Sequence, residues 1–160
     1  MFNRFVKDAR KLAAAAQETA RDRGSATVEA EHLLMALTER SDSELAALLA
    51  HEGLDRDGAE EAIRAESERS LAAVGVSADA FGLPVSRAAE AEPRWAASAK
   101  LALERSLKIA AARKDHRIEP AHVLLGVLDA RHGTVPRALE LAGVDRKALC
   151  GRVAATLRDD

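Results

Sequence analysis

Apolar residues recur along this chain at the 3.6-residue period of a helix. Between residues 3 and 22, Phe5, Ala9, Leu12, Ala13 and Ala16 fall on one face among Lys, Arg, Gln and Glu. That pattern predicts an amphipathic helix, ended by Gly24-Ser25. A second helix is predicted from about Glu29 to Arg40 on the stripe Leu33, Leu34, Leu37. Ser41-Asp42-Ser43 supplies N-cap candidates for a short third helix that ends near His51, with Gly53 placed to cap its C-terminus. Asp55 caps a fourth, which begins at Arg56-Asp57 and runs to Ser67 or beyond. No stretch shows the strict alternation of a strand.

The same plan then returns. At an offset of ninety residues, Glu29-Ala-Glu-His32-Leu-Leu34 falls on Glu119-Pro-Ala-His122-Val-Leu124, and Gly53-Leu-Asp55-Arg56 falls on Gly143-Val-Asp145-Arg146. Residues 96–113 predict a long Ala/Leu helix. Pro120 sits in a first turn, where its missing N–H costs nothing; Thr134 and Pro136 open the next helix, Gly143 closes it and Asp145 caps the last. A period this long is no solenoid repeat. The predicted fold is all-α: a duplicated four-helix repeat of about eight helices, packed as a pseudo-two-fold bundle. Repeat one spans residues 1–67 and repeat two residues 95–160. Residues 68–94 form a linker in which Glu68–Ala80 is helical in part, and Gly82-Leu-Pro84 and Glu90-Ala-Glu-Pro93 carry turn chemistry.

Composition narrows the function. Hydrophobic residues make up 48% of the 160 residues but aromatics only 2%, so the core is built from Ala, Leu and Val in closely packed helices. The formal net charge of −2 gives no electrostatic case for nucleic acid. No apolar run approaches the ~20 residues of a membrane span, and charges come too early for a signal peptide. A single cysteine, Cys150, fits a reducing compartment, so a soluble cytoplasmic protein is expected. Cys150 lies beside Gly151 with no catalytic partner in the pattern, which reads as a small buried hydrophobe. Matched His32 and His122 could suggest zinc, but a metal site needs further ligands at suitable spacing. A partly buried, hydrogen-bonded histidine in each half is the expectation, with no metal and no cofactor. None of the nine glycines precedes a lysine, so there is no P-loop, and no Gly-x-Ser-x-Gly elbow is present. No catalytic residue is predicted.

The opening Met1-Phe2-Asn3-Arg4-Phe5…Ala9-Arg10, with Glu31-His32-Leu33-Leu34-Met35-Ala36-Leu37 and its second copy His122-Val-Leu-Leu-Gly126, resembles the Clp N-terminal domain. This double repeat precedes the ATPase rings of ClpC- and ClpA-type unfoldases. The resemblance covers nearly the whole chain apart from the linker. A chain of this length has no room for the ring, so the resemblance implies a stand-alone domain or a piece of a longer protein. It also implies a non-enzymatic module that recruits substrates and adaptors in regulated proteolysis, here as accessory or decoy. A further implied role is sequestration of macrocyclic peptide antibiotics. A monomer is expected, because the duplication already closes the pseudo-dimer interface within one chain.

Two sites follow from the resemblance. Phe2, Arg10, Trp95, Lys100, Leu103 and Glu104 match positions that line one groove for macrocyclic peptides and adaptor segments. Apolar anchors with a charged rim suit peptide docking, although Phe2 and Trp95 could equally seal the two halves. Glu31 matches the family glutamate that grips the guanidinium of phosphoarginine. The threonine that precedes it in the family is Ala30 here, and the second-repeat position is Ala121 after Pro120. The second phosphoarginine site therefore reads as lost, and Glu31 alone remains, either as a ligand group or as a first-turn carboxylate favoured by the helix dipole.

Overall fold

The structure, a computed structural model, describes residues 5–40, 43–75 and 91–157. Eight helices lie among the described residues. The first repeat holds α1 (Lys7–Asp22), α2 (Ala30–Thr38), α3 (Glu44–His51) and α4 (Arg56–Ala73). The second holds α5 (Ala97–Arg113), α6 (Pro120–Leu128), α7 (Thr134–Leu141) and α8 (Arg146–Thr156). The ninety-residue offset superposes them in order, α1 on α5 through α4 on α8.

Local chemistry sets the boundaries. Ser43 Oγ accepts the Ala46 N–H at 3.0 Å, Asp55 Oδ1 accepts that of Gly58 at 2.8 Å, and Asp145 Oδ1 accepts that of Ala148 at 3.0 Å. The Glu-x-x-His signature is a reciprocal cap. Glu29 receives the third-residue N–H of α2, while its own N–H donates to His32 Nδ1 at 2.8 Å. Glu119 and His122 do the same for α6, at 2.9 Å. Histidine thus takes the place that Glu or Gln holds in the common capping box.

The core contains Phe5, Leu12, Leu33, Leu34, Leu37, Leu49, Ile118, Leu124, Leu128, Leu139 and Leu149, all essentially inaccessible. Alanines fill the helix contacts, with Ala9, Ala16 and Ala20 on α1 and Ala99, Ala102 and Ala110 on α5. The backbones of α5 and α6 approach closely at Gly126 of α6, where a Cβ would stand 2.2 Å from the Ala102 carbonyl oxygen of α5.

One feature differs from the sequence expectation: short strands exist. β1 (Thr27–Val28) pairs in parallel with β2 (Arg94–Trp95), Val28 opposite Trp95, and Phe5 bridges Ile118 in the same sense. These two pairings are one motif seen twice, since Phe5 matches Trp95 and Val28 matches Ile118 at the ninety-residue offset. The Val6 N–H donates to the Ile118 carbonyl at 3.1 Å, and the Ala96 N–H to that of Val28 at 3.0 Å. Each repeat thereby clasps the other with its opening residues. Two residues are too few to show alternation, and the pairing leaves Phe5 and Val6 ahead of α1 rather than inside it. The fourth helix, α4, continues to Ala73, within the stretch Glu68–Ala80 that the sequence marks as helical in part. Its counterpart α8 ends at Thr156, the match of Glu66, and α4 overruns it by two turns along α7. The predicted turn segment Gly82-Leu-Pro84 lies outside the described residues.

Candidate binding clefts between the repeats

Glu31 stands in the first turn of α2, half-buried, at one wall of a cleft of about 460 Å³ between the repeats. Leu101 and Arg105 of α5 form a second wall, and His132, Thr134 and Arg137 a third. Burial pushes the Glu31 carboxyl above the usual carboxylate range. Its own backbone hydrogen bond opposes the rise, nearby Glu29 and Glu66 add to it, and Arg23 counters. Arg105 donates to the Gly126 carbonyl at 3.0 Å and Arg137 donates through Nε to Glu66 at 2.7 Å, so both guanidinium groups are held in place. Leu101 is 46% exposed, an apolar surface beside the charges. Carboxylate, guanidinium and apolar groups thus converge where the two repeats meet.

The Ala30 N–H next to Glu31 donates to Ser98 Oγ at 2.9 Å, and that hydroxyl donates in turn to Glu29. Ser98 therefore brings a hydroxyl from the other repeat to the start of α2. Sequence reasoning missed Ser98. Only its position one residue into α5, after Ala97, marked it, and that position did not reveal a partner 68 residues away.

The other site residues are dispersed. Arg10 is exposed on α1, with its Nε donating to the Phe5 carbonyl at 3.1 Å. Lys100, its match in the second repeat, is exposed on α5 with Glu104 one turn on. Trp95 is half-buried in β2 and packs against the core. Leu103 is 2% exposed and belongs to the core stripe Ala99, Ala102, Leu103, Ser106, Ala110 of α5. It offers no surface to a ligand, which corrects its placement in the groove. Phe2 lies outside the described residues. Of these candidates Arg10, Lys100 and Glu104 are open to solvent, and the Trp95 ring is half-covered.

His32 and His122 serve the fold. His32 is 4% exposed; burial first, then repulsion from Arg23, lowers its pKa to about 4, with Glu29 partly opposing. His122 accepts on Nδ1, so Nε2 carries the proton and donates to Asp115 Oδ2 at 2.8 Å, while Arg113 Nε donates to the same oxygen at 2.9 Å. The His122 hydrogen bond, seconded by Arg113 against the burial cost, holds the Asp115 carboxyl below the usual range. Ser25 occupies the matching place in the first repeat. Cys150 is half-buried, and burial raises its thiol pKa, which suits packing rather than nucleophilic chemistry. Among the described residues no group of His, Cys, Asp and Glu could hold a metal ion, and no helix is long and apolar enough to cross a membrane.

The clasped, duplicated helical bundle with open clefts at its repeat junction defines the class: a double-repeat domain of the kind found at the N-termini of Clp chaperones. The chain belongs to the Clp repeat (R) N-terminal domain family, matching it over residues 4–91 and 94–159. The fold is similar to the N-terminal domain of the caseinolytic protease-associated chaperone ClpD from Arabidopsis thaliana (TM-score 0.70, 18% identity, covering 98% of this chain and 96% of that one). It is also similar to the Hsp104 N-terminal domain from Candida albicans (TM-score 0.68, 19% identity, 98% and 95% covered). No curated protein shows a significant match to this chain.

Proposed function

We propose that this domain is a non-enzymatic recruiting module that captures protein or peptide ligands for a Clp-type unfoldase. The observation that carries this reading is membership of the Clp repeat family across both repeats. Arg10, Trp95, Lys100 and Glu104 support it as exposed or part-exposed groups: a half-buried indole can supply an apolar anchor, and two cations and a carboxylate can supply charge for a peptide. The direct test is fluorescence anisotropy of a labelled, permanently unfolded protein, such as reduced and carboxymethylated lactalbumin, titrated with the domain. Saturable binding that weakens at least tenfold in a folded Trp95→Ala, Arg10→Ala variant supports the assignment. Unchanged binding in that variant removes the surface from consideration, and no binding by wild type overturns the recruiting role. Macrocyclic peptides would use the same surface, and a thermal shift with such a compound reads that directly.

A second reading has its own observation. The Glu31 cleft sets a carboxylate among Arg105, Arg137 and Thr134, a combination that fits a ligand bearing both a guanidinium and an anionic group. Phosphoarginine is such a ligand. Calorimetric titration should give binding in wild type that is lost in Glu31→Gln; silence in both would show that Ala30 and Ala121 mark a lost site.

A further inference from the structure

The overrun of α4 creates a second cleft, of about 580 Å³, against α7. Glu66, Arg69, Ser70 and Ala73 line one wall at spacing i, i+3, i+4, i+7, a single face of α4. Arg137, Glu140 and Leu141 line the other at i, i+3, i+4. At the base, the Glu66 side chain is 5% exposed, and one of its oxygens accepts from both Ser70 Oγ at 2.5 Å and Arg137 Nε at 2.7 Å. The buried carboxylate fixes the Arg137 guanidinium by its Nε edge, and the side chain remains 55% exposed, leaving the terminal N–H fork for a ligand. Arg69, exposed on α4, makes no ion pair among the described residues. The outer end is apolar: Leu141 is 38% exposed, Ala73 is exposed, and Val74 just beyond is 73% exposed. This device is confined to one half of the molecule, because Thr156 matches Glu66 and Ala47 matches Arg137.

We infer that the α4–α7 cleft binds the free C-terminus of a peptide chain, with the terminal carboxylate on Arg137 and Arg69 and the last, apolar side chain against Leu141 and Ala73. A C-terminal residue delivers both groups from one position, which matches guanidinium and apolar surfaces sharing one short cleft. A guanidinium fork is the natural partner of a carboxylate. Glu140 at the rim disfavours a second acidic group on the ligand, so the specificity is for one carboxylate at the chain end. This site is separate from the surfaces proposed above, apart from Arg137, which borders the Glu31 cleft as well.

The probe is a fluorescein-labelled Gly-Ser-Gly-Ala-Leu peptide, compared as free acid and as C-terminal amide by anisotropy with the full chain. The acid should bind saturably and the amide at least tenfold more weakly. Arg137→Ala and Arg69→Ala should each weaken the acid form at least fivefold, while Lys147→Ala, at an exposed position on α8 outside the cleft, leaves it unchanged. Arg137→Ala strips Glu66 of its cation, so Leu141→Asp, at the exposed rim, provides a second variant free of that burden. It should abolish binding without moving the melting temperature by more than a degree or two. Equal binding of acid and amide, binding of an amidated peptide with an internal Asp as tight as the acid, or no binding at 1 mM would each overturn the inference.

Discussion

His32 shows how one side chain can serve the fold and set its pH limit. Its Nδ1 must accept the Glu29 N–H for α2 to begin where it does, so the ring is needed in its neutral form. With a folded pKa of about 4 against an ordinary value of 6.5, the unfolded chain binds the extra proton first. Stability from this group is therefore fully present above pH ~6.5 and is lost progressively as pH falls toward 4, amounting to about 2 kcal/mol between pH 7 and pH 5. Asn keeps an acceptor at the Nδ1 position but does not titrate. Urea denaturation should show wild type losing about 2 kcal/mol more than His32→Asn over that interval, and equal losses would refute the assignment. That the matched histidines would be hydrogen-bonded was legible from their places beside the helix starts, while their burial is more complete than the partial burial expected. The Asp115–His122–Arg113 network was not, because nothing in the pattern of the second repeat aims a residue seven positions upstream back at the ring.

At the scale of elements, propensity and packing compete at Gly126. Alanine in a helix interior is favoured over glycine by about 1 kcal/mol. Here its Cβ would stand 2.2 Å from the Ala102 carbonyl oxygen, a backbone atom that cannot swing aside. Overpacking costs on the order of 1–3 kcal/mol or more, so the clash wins and Gly126→Ala should lower the urea midpoint. The reverse change at the matching Ala36, buried in α2, should also destabilise, by about 1 kcal/mol from helix propensity alone with no close contact to relieve. A stabilising Gly126→Ala would show that α5 and α6 have room between them. The helices themselves could be read in the sequence because caps and stops are local: Ser43, Asp55 and Asp145 each hold the first turn they precede. The strands could not, since Val28–Trp95 and Phe5–Ile118 are long-range pairings only one or two residues long. Leu103 was misplaced for a related reason. The resemblance put it in a groove, while its spacing from Ala99, Ser106 and Ala110 already set it on the core stripe.

For the whole molecule, the exchange of opening residues ties the two repeats together, and their symmetry is broken at the candidate surfaces. Phe5 is 2% exposed and Trp95, its match, only half-buried, although both flank the same type of pairing. Phe5→Ala should therefore cost about 3–5 kcal/mol, and Trp95→Ala well under half of that, as read from denaturant midpoints. Comparable losses would make Trp95 a seal between the repeats and not a docking residue. The α4 overrun, the Glu66–Arg137 pair and the lone Glu31 likewise belong to one half only. Duplication explains the scaffold, and departures from it mark the candidate surfaces. Glu31, Arg10 and Lys100 are candidates that the family resemblance implies. Ser98, Arg105 and Arg137 emerge only once folding brings the repeats together.

Trp95 is the only tryptophan, so its indole N–H gives a single resolved nuclear magnetic resonance signal. The central claim is that this Clp repeat domain recruits unfolded protein at the Arg10–Trp95–Lys100–Glu104 surface. Titrating the labelled chain with carboxymethylated lactalbumin tests it in one spectrum series. The account predicts that the indole signal and the amides of Arg10, Lys100 and Glu104 shift together and saturably. An indole signal that stays fixed while other regions shift, or a spectrum that does not change at all, would contradict it.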